Sequence, residues 1–452
     1  MKEAIAFVNK IVWGAPALLL ILGTGLYLSI LTGFSQITLF PRAVRRFFSG
    51  LRPKKREGGT VSSYQAVCTA LAATVGTGNV VGVAGAITIG GPGAIFWMWV
   101  SAVLGMVTKC AEATLAVRFR KKNEKGEYVG GPMYMIRDGM GRKWRFLAGI
   151  YGFFGVIAAF GVGNATQINA AISSVHSVLR GMSVEPDFRL DLILGVFMAL
   201  LIYLMLSGGA AGIGRIAERL VPFAAAGYLL MSMAVLVIRA QWIPDAFRSI
   251  FVGAFSAKAV TGGVVGGTFQ AVRIGVSRGV FTNEAGMGTA SIAHAGADVS
   301  HPVEQGLMGI FEVFADTILI CTMTALVILC SGVPIAYGTN AGAELTGAAF
   351  ASCIGGWSNL LLAFLLCCFA IATVLGWGLY GLRCAEYLFG AGAWKPFLLL
   401  QSVVVVVGAV LESGVVWSVA ETVNGCMAIP NLIALLVLSS EFSRLVAEYR
   451  KK

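Results

Sequence analysis

The hexapeptide Thr74-Val75-Gly76-Thr77-Gly78-Asn79 sets a hydroxyl between two glycines inside an otherwise apolar run. Glycine costs a helix about 1 kcal/mol relative to alanine, so the pair around Thr77 predicts an unwound turn. Unwound backbone within a bilayer persists only where it is buried or lines a cavity. Freed amides at the start of the continuing half-helix suit a carboxylate. Freed carbonyls suit a sodium ion or an ammonium. The same glycines equally suit close helix packing, and the hexapeptide alone leaves both uses open.

Other polar side chains fall at helical spacing. Thr373 and Trp377 are four residues apart, which puts a hydroxyl and a ring on one helix face. Asn164 and Gln167 are three apart and are expected to face together. Glu312 and Asp316 stand one turn apart in an apolar run, where an ionisable group is a candidate functional residue. Arg273 and Arg278 are their expected partners, in a structural ion-pair network or a proton path. Lys109 and Glu112 are expected to snorkel from the end of their helix. His294 and His301 fall in an expected loop, and no metal-ligand spacing involves them or the cysteines.

These residues need long apolar elements to hold them. Hydrophobic residues form 57% of the 452-residue chain and charged residues 12%, where a soluble domain is about 25% charged. Mean hydropathy is +0.81. The chain is therefore read as an all-α polytopic membrane protein. Runs of about 20 apolar residues are long enough to cross the bilayer. Eleven are expected, at about 11–33, 62–88, 92–118, 146–178, 190–207, 214–238, 258–281, 303–331, 357–389, 395–411 and 415–440. Residues 242–257 read as an amphipathic stretch on the outer face, and 282–302 and 332–356 as small-residue loops.

The net charge of +12 would suggest nucleic acid in a soluble protein. Here the basic residues gather in three places: Arg42 to Arg56, Arg118 to Arg145, and the tail from Arg444 to Lys452. That distribution marks cytoplasmic segments and excludes a nucleic-acid partner. With an odd number of spans it places the amino terminus outside and the carboxyl terminus in the cytoplasm of a cell-membrane protein.

The chain divides into an extra span with a basic loop (1–61), two five-span blocks (62–240 and 241–440) and a basic tail (441–452). An odd number of spans per block makes the second block enter from the opposite face. Each block opens on a glycine-interrupted helix, Ala72–Gly85 and Gly262–Phe281. Interrupted helices at matching positions of inverted halves point to the binding site of a secondary transporter.

Several motifs occur in order: Gly90-Gly91-Pro92-Gly93-Ala94-Ile95-Phe96-Trp97, Gly130-Gly131-Pro132-Met133-Tyr134, Arg278-Gly279-Val280-Phe281-Thr282-Asn283-Glu284-Ala285-Gly286-Met287-Gly288, Phe311-Glu312-Val313-Phe314-Ala315-Asp316-Thr317 and Asn424-Gly425-Cys426-Met427-Ala428-Ile429-Pro430-Asn431. Together they closely resemble the alanine or glycine:cation symporter family, from about residue 11 to 440. The resemblance implies a leucine-transporter-like inverted repeat with broken spans 2 and 7, and a sodium-coupled importer of small neutral amino acids. It implies no cofactor, with Na+ as the coupling ion and no obligate protein partner. Thr77 and Gly78 would take the substrate carboxylate, with Gln167, Phe269, Thr373 and Trp377 lining the pocket. The sodium site would use the carbonyls of Ala72 and Val75 with the Thr373 hydroxyl. The chain departs from the family pattern at Ala372, where a serine often precedes Thr373, and at Leu382, where glutamate is frequent.

The rival readings are a proton-coupled carrier, or one specific for glutamine or serine. An ion channel fits less well, because a filter needs symmetric rings and the two interruptions are unlike. An enzyme fits least, since no nucleophile–base pair or metal motif is present.

Overall fold

The computed structural model describes residues 13–51, 61–255, 268–339, 341–411 and 413–451, without the side chains of 268 and 413–421. In chain order the principal helices are α1 (Ala15–Leu31), α2 (Phe40–Gly50), α3 (Ser63–Thr74), α4 (Gly78–Gly90) and α5 (Gly93–Arg118). Next come α6 (Arg142–Gly181), α7 (Phe188–Ser207), α8 (Gly209–Ile238) and α9 (Ile243–Phe255). The remainder are α10 (Thr268–Asn283), α11 (Thr289–Ala295), α12 (Pro302–Cys330), α13 (Ala343–Ile354), α14 (Ser358–Phe389), α15 (Ala391–Val410), α16 (Ser413–Val437) and α17 (Ser439–Arg450).

Seven of the described helices are long and apolar enough to cross a bilayer, and up to nine spans result if each of two bent pairs counts as one. The first and seventh expected segments contribute shorter described helices, α1 and α10. Leu230 and Val237 on α8 are 72% and 69% exposed, and Phe197 and Leu200 on α7 also point outward. Contiguous exposed apolar surface of this kind belongs against lipid. The protein is multi-pass.

Glycines set the closest approaches. A methyl on Gly93 at the start of α5 would lie 2.2 Å from the Gly253 backbone of α9. On α10, Gly275 and Gly279 are one turn apart and meet Ala94, Met98 and Ser101 of α5, a small-residue helix crossing. Gly91 takes φ +74°, and Pro92 caps α5, so the Gly-Gly-Pro block is a turn between two helices.

The interruption between α3 and α4 is present: the two helices meet at 50°. Ser62 and Gln65 start α3 with a reciprocal capping box. Val75 leaves the helix with ψ 97°. The second expected interruption, Gly262–Phe281, is described only from Thr268 onward. Gly262–Gly267 lie outside the described residues, while α10 runs unbroken from Thr268 to Asn283. The break comes after it, at Glu284–Gly288, where Glu284, Gly286 and Gly288 all have positive φ.

The two expected loops are also corrected. Residues 282–295 are buried, and α11 forms within 282–302; α13 occupies much of 332–356. Both are rich in small residues, which pack closely as well as they loop. Within the stretch 242–257, Ile243–Phe255 form an amphipathic helix, α9, which buries Ala246, Ile250 and Ala254 and exposes Phe251, Val252 and Phe255.

Two short strand pairs complete the fold. β1 (Val61–Ser62), just before α3, pairs in parallel with β4 (Ala297–Asp298), just after α11. This ties the first half of the first interrupted element to the second half of the second. β2 (Lys121–Lys122) and β3 (Tyr128–Val129) form an antiparallel hairpin.

Candidate functional site

Leaving the helix at Val75 frees backbone groups, and side chains redirect them. The Gly76 amide donates to Oδ1 of Asn79 at 2.8 Å rather than to the Ala72 carbonyl four residues back. Thr77 donates its hydroxyl to Oε1 of Gln167 at 2.7 Å. Gln167 sits on α6 just after a wide π-type turn at Gly161–Ala165, and its Nε2 donates to the Val162 carbonyl. That turn also separates Asn164 from Gln167. Asn164 donates to the Gln401 carbonyl of α15, so the two amides do not face together. A π turn adds a residue per turn and shifts the face that follows.

Thr373 on α14 comes to the same place. A methyl on Gly76 would lie 2.6 Å from Thr373 Oγ1 and 3.4 Å from Gln167 Oε1. Thr373 is buried, and its hydroxyl has no hydrogen-bond partner among the described residues. Ala72 and Val75 are buried beside this interruption. Gly376, one turn from Ala372 on α14, packs on the backbone of Ala73, which holds α14 against the end of α3. Trp377, one turn beyond Thr373, is fully buried and lies over Gly163 of α6.

Thr77, Gly78, Gln167, Thr373 and Trp377 thus lie on or beside one interruption. Phe269 does not: it is 69% exposed near the start of α10. The aromatic ring facing the interruption from α10 is Phe281, with Thr282; both approach a methyl placed on Gly78 within 4 Å. Phe269 and Phe281 are about 18 Å apart along α10 at 1.5 Å per residue. Because this helix breaks at its far end, its last turn reaches the site.

The acids lie deeper than expected. Glu312 pairs with Lys109 at 3.2 Å and with His294 Nε2 at 2.9 Å, all three fully buried. His294 Nδ1 meets Gln305 at 2.7 Å, and Ser63 donates to Gln305 at 2.6 Å. Lys109 and Glu112 therefore do not snorkel, and His294 is not in a loop. Glu312 finds its cation on α5 rather than at Arg273 or Arg278 of α10, because α12 packs on α5 through Gly306 and Gly309. Asp316 accepts from Asn79 at 2.7 Å and from Thr317 at 2.7 Å, which ties α12 to the first interruption. Thr317 in turn accepts from Asn283 at 3.1 Å.

The second interruption is held by two carboxylates that polar spacing alone did not single out. Glu112 Oε1 accepts from the amides of Gly286 and Gly288 and from Asn431, at 2.9, 3.0 and 2.7 Å. Glu284 accepts from Trp377 Nε1 at 2.8 Å and from Thr289 at 2.5 Å. The legible signal was Gly286 and Gly288 following a charged residue, within a motif already noted for its resemblance. Among the described residues no cluster of His, Cys, Asp or Glu stands ready for a metal ion. What the site offers is neutral oxygens and amides beside interrupted backbone, a donor set for a hard cation and a zwitterion.

Comparisons with known proteins give the family and the fold. The sodium:alanine symporter family matches residues 1–452. The sodium/alanine symporter AgcS of Methanococcus maripaludis is 42% identical, covering 96% of this chain and 93% of its own. The "Probable sodium/glutamine symporter GlnT" of Bacillus subtilis is 32% identical, covering 100% and 91%. The crystal structure of MhsT in complex with L-phenylalanine shares the fold at a TM-score of 0.57 and 12% identity, over 86% of this chain and 99% of that one. The family and these sequence relatives are symporters, so the chain is a transporter and not an enzyme. With its motifs, its interrupted helices and its match over the whole length, the chain belongs to the sodium:alanine symporter family.

Proposed function

We propose that the protein imports alanine, glycine or a similarly small neutral amino acid together with sodium, by alternating access. The observation that carries this reading is the Thr373 hydroxyl, buried beside Gly76 without a partner among the described residues. A buried polar atom left unsatisfied costs about 1–3 kcal/mol, and a bound cation would satisfy it. Sodium would then be held by the Ala72 and Val75 carbonyls with Thr373. It would stabilise the interruption, where Thr77 and Gly78 receive the substrate carboxylate. Gln167 orients Thr77, and Trp377 bounds the space for the side chain, which favours short substrates. Phe281 takes the role first given to Phe269.

In this reading the eleven spans form two inverted five-span blocks, 62–240 and 241–440, after an extra first span. The amino terminus is outside, and the basic segments and the tail from 441 to 452 face the cytoplasm. The interrupted helices rock against the remaining spans. Sodium and amino acid each raise the other's affinity by the same factor.

A second reading, proton coupling or glutamine transport, draws on buried Glu312, Asp316 and His294 and on the name of the Bacillus subtilis relative. Uptake of labelled alanine and glutamine into proteoliposomes, under a sodium gradient or a pH gradient alone, separates the two. Alanine uptake that ignores sodium would overturn the primary reading.

A further inference from the structure

Trp377 is held from three sides. Its indole N–H donates to Oε1 of Glu284 at 2.8 Å. Tyr380 meets its ring edge-on at 5.7 Å. Gly163 lies so close beneath it that an added methyl would stand 2.2 Å from Trp377 Cβ. Only the bond to Glu284 is directional, and the indole has a single donor to satisfy. Trp377 is 0% and Glu284 3% exposed.

Glu284 is itself unusual. It opens the second interruption with φ +54°, a conformation that strains a non-glycine residue and persists only when its surroundings over-determine it. Its two carboxyl oxygens supply that determination: one takes Trp377 on α14, the other takes Thr289 at the start of α11. A glycine would relieve the backbone and lose both bonds.

We propose that Glu284 is a positioning residue that sets the size of the substrate pocket through Trp377. The carboxyl fixes the indole against Gly163 and α6, and so ties the pocket wall to the hinge of the second interruption. Without that acceptor the buried N–H must seek another partner, the ring leaves its slot, and the space beside Thr373 widens. The inference rests on the reading that Trp377 bounds the pocket.

The test is competition of glycine, alanine, leucine and phenylalanine against labelled alanine uptake in proteoliposomes. The wild type is compared with Glu284→Gln, Glu284→Ala, Trp377→Phe and the double variant Glu284→Ala/Trp377→Phe. Glutamine retains an oxygen for the indole and an amide for Thr289, so Glu284→Gln keeps the wild-type ranking. Glu284→Ala and Trp377→Phe each shift the ranking toward the larger amino acids by about tenfold, and the double variant shifts it no further than either alone. Thr289→Val, which leaves the backbone intact, shifts it in the same direction by less. It carries the test if Glu284→Ala does not assemble.

The proposal is overturned if Trp377→Phe changes the ranking while Glu284→Ala and Thr289→Val leave it unchanged, or if the double variant is additive. If Trp377→Phe is silent as well, the pocket reading itself has failed, and the proposal falls with it.

Discussion

The hydroxyl of Thr77 donates to Oε1 of Gln167 across 2.7 Å, joining the unwound turn of one helix to a residue 90 positions further along the chain. Replacing Thr77 by valine keeps the shape of the turn but leaves the Gln167 oxygen buried and unpaired. Alanine affinity is expected to fall about tenfold, the scale of one lost buried hydrogen bond, with the protein still inserted. Gln167→Leu should act in the same direction. Alanine binding to purified protein is the measurement, and unchanged affinity in both variants would remove these residues from the site.

Gly76 and Thr373 make the second test. A methyl at Gly76 would press on Thr373 Oγ1 at 2.6 Å, displacing an oxygen that has no hydrogen-bond partner among the described residues. Gly76→Ala and Thr373→Val are both expected to raise the sodium concentration needed for half-maximal uptake by about tenfold or more. Thr373→Ser, which keeps the hydroxyl, should stay near wild type. A sodium dependence that is the same in all three would place the ion elsewhere.

The pair of Lys109 and Glu312 tests the buried ion network. Removing one member of a fully buried pair strands a charge and costs about 3–5 kcal/mol. Lys109→Met should therefore lower the thermal unfolding temperature of the solubilised protein markedly. Adding Glu312→Leu should recover most of the loss, since the two groups are in contact and removing both leaves no stranded charge. A double variant less stable than Lys109→Met would show that Glu312 is satisfied by His294 alone.

The hairpin of β2 and β3 gives a prediction in pH. Glu127, in the loop before β3, accepts from Arg383 at 2.7 Å, and Asn123 donates to Glu386 at 2.9 Å. Burial opposes ionisation of Glu127, but the hydrogen bond and charge of Arg383 outweigh it and hold its carboxyl below the usual range. A depressed folded pKa stabilises above the unfolded value and loses that contribution as pH falls through the folded one. Hydrogen-exchange protection of the hairpin should thus be level from neutral pH to the ordinary carboxylate range and decline only below it. Glu127→Gln should weaken protection at neutral pH, flatten the decline and converge on the wild type at low pH.

Much of the geometry of the candidate site was legible in the sequence. Glycine around Thr77 predicted an interruption because helix propensity is local, and the structure bends there by 50°. The four-residue spacing of Thr373 and Trp377 put both on the side of α14 that meets the first interruption and α6, because nothing disturbs α14 between them. The same argument failed for Asn164 and Gln167, where a π-type turn reset the face. For the second interruption the run Gly262–Gly267 lies outside the described residues, and within the described part of Gly262–Phe281 the glycines relax packing rather than break a helix. Gly275 and Gly279 sit inside an intact α10 and admit α5; the break needed Gly286 and Gly288 with Glu112 waiting for their amides.

Composition and charge placement were enough to establish a polytopic membrane chain, and ordered motifs were enough to suggest the family to which it belongs. Those properties are carried by residues read one at a time or within a few turns. Which glycines break helices, which aromatic ring faces the interruption, and which buried acid meets which cation were decided only by tertiary structure. Each depends on a partner supplied from a distant segment: Lys109 for Glu312, Asn79 for Asp316, Trp377 for Glu284. A buried polar group is costly until that partner arrives, so its identity follows from which helices pack together and not from the neighbours in sequence.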